Sequence, residues 1–394
     1  MTPAGRDPGH ARTLVVTNDF PPRPGGIQAF VHALAVRRPP GSVIVYASRW
    51  DGWEEFDARQ PYRVVRHPTS LMLPVPGVAR RAAALVREEA CDTVVFGAAA
   101  PLGILAPAMR AAGARRVVML THGHEAAWAG VPVARGLLAR IGAHADVITY
   151  LGDYTRERLA RVMPPERLVR LAPGVDTGVF HRGAGGAEVR ASLGIGDRPV
   201  VVCVSRLVPR KGQDTLVRCW PAVLAEAPDA VLLLVGGGPS RAALEQAISS
   251  GGLSDSVIVT GSVPWNRLPA YYDAGDVFAM PCRTRLGGLD VEGLGIVYLE
   301  ASATGLPVVA GASGGAPDAV REGETGVVVD GEDPAAVASA LTALLKDPVR
   351  AREMGERGRA WIEREWRWDL VAERFAEVLA DPGLTGAGSA EGLG

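Results

Sequence analysis

Short runs of β-branched residues alternate with Ala-, Leu- and Arg-rich stretches of helical length from one end of this 394-residue chain to the other. That alternation predicts parallel sheets covered by helices, because one parallel strand can be joined to the next only through a long crossover. In the first half the pattern predicts strands at 13–17, 43–47, 63–66, 93–96, 117–120 and 147–150, with helices between them such as 77–89. In the second half it predicts strands at 200–204, 230–235, 257–260, 277–279 and 308–310. A chain of this length exceeds what one hydrophobic core organises. The expectation is two doubly wound, Rossmann-like α/β domains at 1–180 and 181–364, with the turn-rich stretch 173–196 between their cores. A terminal helix at 365–381 is expected to cross back to the first domain, ahead of a Gly/Ala/Ser-rich, disordered tail at 382–394. Trp361, Trp366 and Trp368 either anchor that helix across the domain junction or pack into a core.

Several function classes fall away. A net charge of -1 gives no electrostatic reason to propose a nucleic-acid partner. The longest uncharged stretch, 94–109, is broken by Gly97, Pro101, Gly103 and Pro107 and is too short to span a bilayer. The N-terminus shows no secretory pattern. Cys91, Cys203, Cys219 and Cys282 have no metal-ligand spacing, which points to a reducing, cytoplasmic setting. A membrane, if it matters, is met from its surface.

Of the 42 basic side chains only Lys211 and Lys346 are lysines. Lys211 lies in Ser205-Arg206-Leu207-Val208-Pro209-Arg210-Lys211-Gly212, just ahead of a predicted helix. It is either a solvated surface cation or, with Arg206, a grip on a diphosphate, for which a compact ammonium on a flexible stem is suited. A second segment, Asp290-Val291-Glu292-Gly293-Leu294-Gly295-Ile296-Val297-Tyr298-Leu299-Glu300, sets two carboxylates around a glycine-rich helix start. Between them the N–H groups of Leu294, Gly295, Ile296 and Val297 would face outward, where the helix dipole favours an anion. Gly25 and Gly26 form another glycine loop between the first strand and a helix, without the third glycine of a dinucleotide fingerprint or the lysine of a P-loop. Thr121-His122-Gly123-His124-Glu125 follows a strand at the sheet edge where such folds bind ligands, as do Tyr150 and Tyr154 after the next strand. Two histidines two residues apart, with no distant ligand set, do not make a zinc site.

Taken together these segments resemble the retaining glycosyltransferases of family 4, whose GT-B architecture places two Rossmann-like domains face to face across a deep cleft. Glu292 and Glu300 match that family's Glu-x7-Glu motif, and Arg206 with Lys211 match its basic pair. The segments 21–28, 96–102, 121–125, 205–214 and 287–300 are further similar to the GDP-mannose-dependent branch that mannosylates phosphatidylinositol monomannoside.

The resemblance implies GDP-mannose as donor, an inositol-mannoside glycolipid as acceptor, and no cofactor or metal. Arg206 and Lys211 would neutralise the diphosphate, helped by backbone N–H groups at Gly26 and at 295–297. Glu300 would hold the ribose, Glu292 the mannose hydroxyls, and the backbone near Val263 the guanine. His122 would sit beside the mannose, with His124, Tyr150 and Tyr154 towards the acceptor. With no carboxylate placed as a nucleophile, the implied chemistry is a front-face substitution in which the leaving phosphate takes the acceptor's proton. A lipid acceptor implies a peripheral protein on the inner face of the plasma membrane. Leu71, Met72, Leu73 and Val75, followed by Arg80, Arg81 and Arg87 on an amphipathic stretch, are the candidates for insertion. A UDP-sugar donor, a different acceptor, or a non-catalytic nucleotide-binding module on the same fold are the competing readings. Oligomeric state is not legible.

Overall fold

The computed structural model describes residues 12–380, so the tail from 382 lies outside the described residues. The chain divides into two compact units, 12–172 together with 371–380, and 173–370.

The first unit is built on seven parallel strands: β1 (Thr13–Thr17), β2 (Val43–Ala47), β3 (Arg63–Arg66), β4 (Thr93–Phe96), β5 (Arg116–Met119), β6 (Val147–Tyr150) and β7 (Leu168–Arg170). Their spatial order is β3-β2-β1-β4-β5-β6-β7. Every residue of β1, β2, β4 and β6 is buried, as strands covered on both faces require. The chain runs outward from β1 to β3, then returns to lay β4 on the other side of β1. The loops leaving β1 and β4 therefore diverge, and the crevice between them at the strands' carboxyl ends is where open sheets of this kind take ligands.

The second unit repeats the plan with six parallel strands: β8 (Val200–Val204), β9 (Val231–Val235), β10 (Val257–Gly261), β11 (Val277–Met280), β12 (Val308–Gly311) and β13 (Gly326–Val329), ordered β10-β9-β8-β11-β12-β13. Here the reversal falls between β8 and β11. Strands β7 and β13 are additions to the sequence reading. Both are edge strands, three and four residues long, with little alternation to betray them.

The last helix, Trp368–Ala380, belongs to the first unit from Val371 onward. It buries Val371, Phe375, Val378 and Leu379, and Arg116 Nε donates to the Val378 carbonyl at 2.8 Å. Trp361 and Trp366 are buried residues of the second unit, edge to face at 5.5 Å. The helix Pro76–Glu88 starts with its proline at the position where a missing N–H costs nothing. Ahead of it, Leu71, Leu73 and Val75 are exposed, but Met72 is not. Its side chain is fully buried, and its N–H and carbonyl are both bonded to the Asn18 carboxamide, at 2.5 and 2.8 Å. Met72 is therefore a core residue and not a candidate for insertion. The two hydrogen bonds to Asn18 hold it inward while its neighbours face out.

Candidate active site

In the second unit the loops leaving β8 and β11 carry the charged groups. Lys211 closes a short turn, Pro209–Lys211, and Gly212 follows with φ +79° to start the helix Gln213–Glu226. A Cβ at Gly212 would lie 2.0 Å from the Pro281 carbonyl, so only glycine lets the β8 loop lie against the strand-end of β11. That close approach brings Lys211 to Glu292. The Lys211 Nζ is 2.5 Å from Glu292 Oε2, and Arg210 Nη1 reaches the same oxygen at 2.9 Å. Arg210 Nε also donates to Asp290 Oδ1 at 3.0 Å. Burial alone would raise the Glu292 carboxyl, but the two cations hold it below its ordinary value.

Arg206 is placed differently. Gln213, nearly fully buried, donates to the Ser205 hydroxyl and to the Arg206 carbonyl, which fixes the backbone. The Arg206 side chain is exposed and makes no ion pair or hydrogen bond among the described residues. It is a free cation on the loop that holds Lys211.

Glu300 does not join the Glu292 cluster. It sits on the helix Ile296–Ala303, where the buried Tyr272 hydroxyl donates to its Oε2 at 2.6 Å. Desolvation raises its carboxyl to about 7, against the lowering effect of that hydrogen bond. The helix itself begins at Ile296 behind Gly295, whose φ of +81° makes it the cap. Leu294 precedes the cap and its side chain is buried, and the N–H groups of the helix start itself are those of Ile296 and Val297. Val263 is half-buried just after β10.

In the first unit, His122, His124 and Glu125 stand at the start of the helix Gly123–Trp128, beyond β5. His122 is buried, and its Nε2 lies 2.8 Å from the Gly97 carbonyl, beyond β4. A carbonyl can only accept, so Nε2 carries the proton and Nδ1 keeps the lone pair. Burial lowers the His122 pKa, which favours this neutral form. Glu125, fully buried, accepts from the His122 N–H at 2.7 Å and lies 3.2 Å from His124 Nε2. Despite its burial, the carboxyl is held down to about 2, by His124 before all else. His124, lowered by burial but raised more by Glu125, titrates above its ordinary value, and its ring stacks on His122 at 6.1 Å.

Asp19, after β1, adds a negative field at both histidines. The same loop runs to Gly25 and Gly26 at the exposed start of the helix Gly26–Val36. A Cβ on Gly25 would strike the Gln28 carboxamide, whereas Gly26 faces open space. Tyr150 ends β6, largely buried, and Tyr154 lies in the helix Asp153–Leu159 with the Arg158 guanidinium 4.7 Å from its ring centroid. Arg210, Asp290, Tyr272 and Glu125 belong to these clusters, and sequence reasoning assigned none of them a role of its own. For Glu125 there was a signal, since a carboxylate three residues after a helix cap is the capping-box spacing. Among the described residues no group of His, Cys, Asp and Glu is arranged to hold a metal, and the four cysteines are buried and unpaired.

Residues 24–179 match the family described as Glycosyltransferase Family 4, and residues 187–361 match Glycosyl transferases group 1. The GDP-mannose-dependent alpha-(1-6)-phosphatidylinositol monomannoside mannosyltransferase of Mycolicibacterium smegmatis is 53% identical, over 93% of this chain and 98% of its own length. The protein of the same description from Mycobacterium tuberculosis is 51% identical over 94% and 98%. The Corynebacterium glutamicum enzyme, described as acting on the monoacylated form of that lipid, is 44% identical over 93% and 97%. Among solved structures, Anabaena HepE in complex with UDP superposes with a TM-score of 0.80 at 18% identity, covering 94% of this chain and 99% of its own. Its likeness bears on the fold alone. With the two parallel-sheet units, the Glu292 and Glu300 pair and full-length relatives of this identity in view, the chain belongs to glycosyltransferase family 4 and has the GT-B fold.

Proposed function

We propose that this protein transfers mannose from GDP-mannose to phosphatidylinositol monomannoside with retention at the anomeric carbon, making the second mannosyl bond of the glycolipid. The observation that carries the reading is the Glu292 carboxylate clamped by Lys211 and Arg210 where the sheet order reverses, in a chain half identical throughout to enzymes described by that reaction. In the reaction the bond from mannose C1 to the β-phosphate oxygen breaks. An acceptor hydroxyl oxygen bonds to C1 on the same face, and its proton passes to the departing phosphate.

Charge builds on the leaving GDP, and Arg206 and Lys211 are the cations assigned to it, in place of a metal. Glu292 takes mannose hydroxyls, Glu300 takes ribose hydroxyls, Val263 meets the base, and the N–H groups after Gly295 meet phosphate oxygen. In the first unit the neutral His122 offers Nδ1 as an acceptor to a sugar hydroxyl, while His124, Tyr150 and Tyr154 stand at the strand-end edge assigned to the lipid head group. No helix among the described residues is long and apolar enough to cross a membrane. The exposed Leu71, Leu73 and Val75, with Arg80 and Arg87 exposed on the helix that follows, support docking on a lipid surface.

The test is transfer of radiolabelled mannose into vesicles carrying either phosphatidylinositol monomannoside or phosphatidylinositol, with GDP-mannose or UDP-sugars as donor and EDTA throughout, with the protein's sedimentation read in the same tubes. Transfer only from GDP-mannose, to the monomannoside, in EDTA and with the protein in the pellet, is expected. Transfer to phosphatidylinositol alone, or from a UDP-sugar alone, overturns the assignment.

The Glu300 carboxyl adds a pH signature. If its ionised form holds the ribose, GDP affinity should rise as pH climbs through about 7. Tyr272→Phe removes a hydrogen bond that favours the carboxylate and should move that midpoint upward, as calorimetric titrations with GDP across the range would show. An unchanged midpoint would separate Glu300 from nucleotide binding.

A further inference from the structure

We infer that Arg210 is the positioning residue for Glu292. It keeps that carboxylate paired and aimed at the donor's sugar after Lys211 has turned to the diphosphate. This rests on the reading of the site as one for a nucleoside diphosphate sugar.

Lys211 and Arg210 share one oxygen, Glu292 Oε2. An arriving diphosphate competes for both cations, and the two are held very differently. Glu292 is the only ion-pair partner of the Lys211 ammonium among the described residues, and its stem is flexible. Arg210 is pinned at two points of its planar fork, with Nη1 on Glu292 and Nε on Asp290. Asp290 in turn is fixed by two backbone hydrogen bonds exchanged with Arg285, at 2.9 and 3.2 Å, and by the Arg285 guanidinium at 3.4 Å. Turning Arg210 toward a phosphate breaks both of its contacts at once, whereas turning Lys211 breaks one. The diphosphate therefore takes Lys211. Glu292, nearly buried, would then be an uncompensated charge without Arg210.

The consequence separates two ligands. GDP and GDP-mannose both draw Lys211 from Glu292, but only GDP-mannose brings the mannose hydroxyls that the carboxylate must meet. Calorimetric titration of both ligands into wild type, Arg210→Ala, Asp290→Asn and Lys211→Ala reads the difference. Arg210→Ala should weaken both ligands, since both draw Lys211 from Glu292, and should weaken GDP-mannose about tenfold more than GDP, since only its mannose needs the carboxylate held in place. Asp290→Asn should show the same selectivity with a smaller loss. Lys211→Ala should weaken both ligands together. If Arg210→Ala is insoluble, Arg210→Gln is read by the same ratio. Parallel losses of GDP and GDP-mannose in the Arg210 variants would make Arg210 a diphosphate ligand and overturn the inference, as would unchanged affinity for both. A wild-type protein that binds neither ligand overturns the functional reading and this inference with it. Wild-type binding with parallel losses in the Arg210 variants overturns only the inference.

Discussion

Lys211→Ala is expected to lower kcat for mannosyl transfer by about 10²- to 10³-fold, the loss typical of removing one preorganised group from developing transition-state charge. The ammonium is held over the strand end by the turn 209–211 and by Gly212, and it costs little to redirect, since its one ion pair is shared with Arg210. Lys346 is the control. It pairs with Glu226 at 2.7 Å, and both side chains are more than half exposed, so Lys346→Ala should leave the rate within error of wild type. Lys211→Arg should recover little, because a planar fork cannot occupy the place of a point charge beside the guanidinium of Arg210. Initial rates at saturating donor and acceptor decide the matter. Near-native turnover in Lys211→Ala would remove the lysine from the leaving group's departure.

Lys211 was legible because it stands out, one of two ammonium groups in a chain that otherwise uses guanidinium. Arg210, its neighbour, was not. One arginine among so many carries no compositional signal, and its partners Asp290 and Glu292 come to it only through the packing of the β8 loop against the end of β11. The strands were legible wherever they were central, since burial on both faces demands continuous β-branched runs such as 13–17 and 200–204. The short edge strand β7 lacked that demand. The glutamates of 292–300 were legible as a pair, but not their separate fates. Glu292 is held ionised by two cations and Glu300 is pushed up toward neutrality, because the first meets charges from a distant loop and the second meets the phenol of Tyr272. Leu71-Met72-Leu73 was misread for a simpler reason. Three apolar residues in a row look like one surface until the contacts with Asn18 draw the middle one inward.

Glu125→Gln is expected to cost about 3 kcal/mol of stability, in the range for breaking a buried ionic pair by removing one partner. The amide keeps the shape but sets an N–H₂ against donors already committed to the carboxylate, namely the His122 N–H and His124 Nε2. The loss also has a pH dependence of defined sign. Folding depresses the Glu125 carboxyl from 4.5 to about 2, so its contribution is full above the unfolded value and is lost as pH falls from there through about 2. Folding raises His124, so its contribution is full below its ordinary 6.5 and is lost as pH rises through its folded value. The wild-type protein should therefore lose stability on both sides of a mildly acidic maximum, as urea denaturation at a series of pH values would show. In Glu125→Gln the titrating carboxyl and the anion that raises His124 are gone together, and the two slopes should flatten. Curves for variant and wild type that run parallel across the whole range would mean that Glu125 is ionised no more readily in the folded chain than in the unfolded one. His122 would then lose the anchor that fixes its backbone beside Gly97, and with it the argument that a neutral, rigidly placed imidazole is available to a sugar hydroxyl.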